Sequence, residues 1–63
     1  MTSEKVVYTI TEVMERLQVS RWMVYELIHT RELDSIRIGR RIRRVPVDAL
    51  EDYIARRREE DAA

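Results

Sequence analysis

The chain has no cysteine and no phenylalanine, and its 63 residues include one histidine, one glycine and one proline. Without cysteine there is neither a disulfide nor a thiolate zinc site, and a lone imidazole (His29) cannot build a histidine-cluster metal centre. A single glycine excludes a glycine-rich phosphate cradle, and no nucleophile is spaced with a base, so an enzyme is the least expected class. No cofactor, metal or small-molecule ligand is expected. No apolar run approaches the roughly 20 residues of a membrane span, and the N-terminus lacks a signal-peptide core, which predicts a cytoplasmic protein. A chain this short buries only about 60% of its unfolded surface, so it forms one modest core and gains stability from a partner. The expectation is a single domain over 1–63, ordered from about 7 to 58 after a frayed, polar start.

The formal charge sums to zero, but its distribution is uneven. Between Ser20 and Val45 stand seven arginines (21, 31, 37, 40, 41, 43 and 44) against three acids, Glu26, Glu32 and Asp34, a local net of +4. The flanking segments carry five basic and nine acidic residues, a net of −4. Cation gathered in one stretch suits a polyanionic partner.

The hydrophobic pattern begins with period 3.6. Thr9 with Glu12 three residues on makes a capping box, and Tyr8 with Val13 fits a hydrophobic staple. Ile10, Val13, Met14 and Leu17 then form one apolar stripe, which predicts a helix ending near Leu17. Ser20 caps a second helix, Arg21 to about Thr30, whose inner face is Val24, Leu27 and Ile28. On its opposite face lie Trp22, Glu26 and His29, flanked by Arg21 and Tyr25. Two short helices joined by a tight link outline a helix-turn-helix.

After Asp34 the period drops to two. Ser35-Ile36-Arg37-Ile38 and Arg41-Ile42-Arg43 alternate around Gly39-Arg40, predicting a hairpin with Ile36, Ile38 and Ile42 inward and arginines in water. Pro46 is expected in the first turn of a third helix with an inner face of Val47, Leu50, Tyr53 and Ile54, running to about Arg58. Met14 and Tyr53 are read as core. The predicted fold is mainly α with a small β-hairpin: a winged helix-turn-helix of three helices and a two-stranded wing.

The order of these pieces is specific. Tyr8-Thr9-Ile10-Thr11-Glu12-Val13, Leu17-Gln18-Val19-Ser20-Arg21, Val24-Tyr25-x-Leu27-Ile28, Glu32-Leu33, Ile36-Arg37-Ile38-Gly39-Arg40-Arg41 and Val45-Pro46-x-x-Ala49-Leu50 together resemble the excisionase family. These small winged helix-turn-helix proteins are related to the DNA-binding domain of MerR-type regulators. The resemblance covers roughly Val7 to Ile54. It implies an architectural protein of phages and integrative elements. Such a protein binds double-stranded DNA beside an attachment sequence, bends it, cooperates with other copies of itself and helps a tyrosine integrase favour excision. The family usually carries Gly where this chain has Gln18 and Arg31. Either the two turns form at about 1 kcal/mol each, or the helix ends move.

Chemistry assigns roles within that frame. On the second helix, Arg21 suits a phosphate or the O6/N7 edge of guanine, and Glu26 can accept from cytosine N4. Trp22 fits against sugars or a thymine methyl, or else folds over the core. Tyr25 reaches a phosphate or flanks the core, and Ser20 is a cap that can also meet the backbone. Arg40 and Arg41 at the hairpin tip suit an adjacent narrow minor groove, while Arg37, Arg43 and Arg44 suit phosphates. The alternative, arginines that only keep an edge soluble, sits poorly with five in eight residues. Arg56, Arg57 and Arg58 are expected as a solvated helix end paired at i,i+4 (Asp52–Arg56, Arg56–Glu60, Arg57–Asp61), or as a partner contact. Two other functions fit the same residues: a small MerR-like transcriptional regulator, and an adaptor whose arginines meet an acidic protein.

Overall fold

Two helices cross at a three-residue turn, and the turn is built from a residue that rarely adopts its conformation. The computed structural model describes residues 6–62, so the expected frayed start up to Lys5 lies outside the described residues. Helix α1 spans Ile10–Leu17 and α2 spans Arg21–His29. The capping box of α1 is complete: Glu12 N–H donates to Thr9 Oγ1 at 3.0 Å, and Thr9 N–H donates to Glu12 Oε1 at 2.8 Å. Gln18 ends α1 in the left-handed region at φ 59°. Its own N–H and that of Val19 both return to the Met14 carbonyl, closing the last turn.

Arg31 repeats the device after α2, at φ 65°. Arg31 N–H donates to Ile28 O at 3.1 Å and Glu32 N–H to Leu27 O at 3.0 Å, the bond pair of a Schellman stop. The turns therefore form at both positions where a glycine would relax the backbone. The second stop drives Leu33 into the interior, where it is 1% exposed.

Strands β1 (Val7–Tyr8), β2 (Ile36–Ile38) and β3 (Ile42–Pro46) form one antiparallel sheet in the order β1-β3-β2. Val7 pairs with Pro46 and Tyr8 with Val45, so the wing gains a third strand too short to show a period in the sequence. In the hairpin, Ile36 faces Arg44, Arg37 faces Arg43 and Ile38 faces Ile42, leaving Gly39-Arg40-Arg41 as the loop. Gly39 adopts φ 71° there, a conformation strained for any side chain.

The core collects one or two residues from most elements: Ile10 and Val13, Val24, Leu33, Val45 and Leu50. Met14, Leu17, Leu27, Ile28 and Tyr53 are half-buried around it, and Tyr8 packs there too. Four expectations need correction. Ile36, Ile38 and Ile42 do not face inward; they are 43%, 45% and 46% exposed. Val45, fully buried, sets the phase of β3, and alternation then turns Arg43 to its side and Ile42 to the opposite one. Pro46 is not in a helical turn but ends β3, where its missing N–H interrupts no further pairing. Helix α3 begins at Val47, whose N–H donates to Val6 O at 3.1 Å, and continues to Ala62 rather than Arg58. Ile54, expected inside, is 37% exposed because α3 runs out past the small core.

Candidate nucleic-acid interface

Ser20 is the N-cap of α2, its Oγ accepting from Met23 N–H at 3.2 Å. That cap places Arg21 on the first turn, where its Nη2 donates to Thr11 Oγ1 of α1 at 3.1 Å. Next to it, Trp22 is 67% exposed, which excludes an indole folded over the core. Tyr25 is 42% exposed and Glu26 is exposed beside it. Thus Ser20, Arg21, Trp22, Tyr25 and Glu26 all lie on the solvent side of α2, and Val24 alone of its first turns is fully enclosed.

The wing carries its arginines in two ways. Arg37, Arg40 and Arg41 are exposed, whereas Arg43 and Arg44 are half-buried. Arg43 Nη1 donates to Ser35 Oγ at 2.7 Å, and Arg44 Nη1 donates to the Arg43 carbonyl at 3.1 Å. Arg37 and Arg43 are directly opposite across the hairpin, a like-charge pair that costs stability unless an anion answers it. Arg21, Tyr25, Arg41, Arg43 and Arg44 then meet around one shallow groove floored by Thr9, Ile10 and Thr11. The structure brings these together; Arg37 and Arg40 lie outside that groove, as do Trp22 and Glu26.

The electrostatic design is in the acceptors. Thr11 and Ser35 are hydroxyls, so they orient Arg21 and Arg43 without neutralising them. Among the described residues no carboxylate pairs with any of the α2 or wing arginines. Neither hydroxyl was marked by local spacing, because the bonds span ten and eight residues and close only when the fold does.

The arginine run on α3 behaves differently from expectation. Arg56 Nη2 donates to the backbone carbonyl of Glu32 at 2.7 Å, tying α3 to the loop after α2. Arg57 pairs with Glu60 at 2.8 Å, an i,i+3 contact, and both groups are more than half exposed. These contacts take the place of the i,i+4 pairs expected for Arg56 and Arg57. Arg58 is exposed beside Leu17, Tyr53 and Ile54. Among the described residues, no helix is long and apolar enough to cross a membrane.

Two capped helices at a tight turn, a cationic wing and a shared arginine groove define a DNA-binding winged helix-turn-helix. Residues 7–58 match the family model described as a helix-turn-helix domain. An excisionase of Streptomyces ambofaciens is 56% identical over 46 residues, covering 73% of each chain. A probable excisionase of Saccharopolyspora erythraea is 40% identical over 52 residues, 82% of this chain and 52% of its own length. The chain belongs to the excisionase family of helix-turn-helix proteins. No solved structure matches it.

Proposed function

We propose that this protein is a recombination directionality factor that binds and bends duplex DNA at an attachment site and assists an integrase in excision. The observation that supports the DNA-contact part is the arginine groove: Arg21 of α2 and Arg41, Arg43 and Arg44 of the wing line one groove, with no carboxylate paired to them among the described residues. In this reading α2 enters the major groove. Arg21 and Glu26 read base edges, Trp22 packs on sugars or a thymine methyl, and Ser20 and Tyr25 hold the backbone. Arg40 and Arg41 enter the adjacent minor groove while Arg37, Arg43 and Arg44 hold phosphates. The role in excision is supported by the names of the two relatives.

One such module buries only about 600–1,000 Å² on DNA, so several copies on adjacent sites, or the integrase, supply the rest of the affinity. Five engaged arginines predict a slope of roughly −4 to −5 for log K against log salt per bound copy. Fluorescence anisotropy on attachment-site DNA tests the first half; a slope near zero refutes the electrostatic contact. A reconstituted excision reaction tests the second, since recombination that proceeds equally without the protein removes the directionality role and leaves DNA binding standing.

A further inference from the structure

Ile36, Ile38 and Ile42 form a partly exposed ridge that shares with Arg44 the sheet face opposite the buried Val45. Ile38 and Ile42 are paired directly at the base of the loop, with Arg40 and Arg41 beyond them at the tip. Ile42 also lines the groove that holds Arg21, Tyr25 and Arg41, so the ridge begins on the side where the cations gather. We infer that this ridge is a second, apolar DNA contact, which seats against the sugar walls of the minor groove and opens it as the arginine tip enters.

Charge selects this occupant over a second copy. From Ser35 to Val47 the chain has five arginines and no acid. Because Arg44 stands beside Ile36 on the ridge face, stacking a second copy there brings two cationic surfaces together. A polyanion with apolar groove walls answers both the charge and the ridge. Apolar side chains pressed into the minor groove also widen it and bend the duplex toward the major groove. The inference rests on the wing reading above and gives it a source of bending that arginines alone do not supply.

The two kinds of contact respond differently to salt. Arginines displace counterions, whereas apolar packing does not. The test compares the parent chain, R40A/R41A and I38T/I42T on attachment-site DNA. Affinity is measured from low to high salt and bending by end-to-end energy transfer. Threonine keeps the β-branch, and the exposure of both sites protects the fold, which circular dichroism verifies. The milder I38V/I42V serves if the threonine variant unfolds. For I38T/I42T the expected result is binding about tenfold weaker at every salt, an unchanged slope and a smaller bend. For I38V/I42V the loss is about twofold. R40A/R41A should instead flatten the slope by roughly two. Undiminished affinity and bend in the isoleucine variants overturn the inference while leaving the arginine reading intact. A parental slope and affinity in R40A/R41A overturn the wing reading itself. Isoleucine-dependent binding to anionic vesicles, without an effect on DNA, assigns the ridge to a membrane surface and also overturns it.

Discussion

The Arg21 guanidinium on α2 donates to the Thr11 hydroxyl on α1 at 3.1 Å, so the first helix aims a side chain of the second. Because the acceptor is neutral, Arg21 keeps its charge and its remaining donors for a ligand. Thr11→Val is expected to weaken DNA binding about threefold by freeing the arginine's rotamers, with thermal stability unchanged. In an Arg21→Ala background the same substitution should have no effect. A double-mutant cycle read by anisotropy checks this, and additive losses would show that Thr11 acts elsewhere.

Gln18 and Arg31 hold left-handed backbone at both helix stops, φ 59° and 65°. Each costs about 1 kcal/mol relative to glycine in that conformation, and glycine returns part of the gain through its looser unfolded chain. Gln18→Gly and Arg31→Gly should each stabilise the domain by about 0.5 kcal/mol in a denaturant titration. Gln18→Ala should not, since alanine keeps the strain and loses the bond from Gln18 Nε2 to the Glu15 carbonyl. A destabilised Gln18→Gly would mean that this side-chain bond outweighs the backbone.

The helices were legible because their signals are local. The Thr9–Glu12 box, the Ser20 cap and the stripe through Ile10 and Val13 all lie within a turn or two of what they specify. The wing was legible as a hairpin but not in its phase. Alternation is symmetric, so Ile36-Arg37-Ile38 reads equally well with either side inward until Val45, fixed by the core, chooses. Strand β1 needs Val45 and Pro46 as partners, and Leu33 is buried by a backbone turn rather than by any stripe. For the site, residue type located the arginines, while Thr11 and Ser35, which aim two of them, are set by tertiary contact alone.

Arg56 illustrates how a basic run divides its labour. Its bond to the Glu32 carbonyl closes α3 against the loop that buries Leu33, whereas the Arg57–Glu60 pair is exposed and contributes little. Arg56→Ala should lower stability by about 1 kcal/mol, and Arg57→Ala and Arg58→Ala by much less. DNA affinity, corrected for the folded fraction, should be the same for Arg56→Ala and the parent. A loss of affinity in the fully folded variant would place Arg56 at the DNA instead.

Leu33 is the largest fully buried side chain, and it hangs from a loop between α2 and the wing. Truncating such a residue costs roughly 2–5 kcal/mol, and a domain this small has little stability to lose. Leu33→Ala is therefore expected to be largely unfolded at 25 °C by circular dichroism. The proposed DNA surface is untouched by the change, since Leu33 carries none of the α2 or wing cations. Saturating duplex should then restore the helical signal, because a ligand that binds only the folded form stabilises it by mass action. Recovery requires duplex in large excess over the dissociation constant and should fail at high salt, where binding is weak. A variant that stays unfolded at saturating low-salt duplex would mean that Leu33 also sets the angle between α2 and the wing.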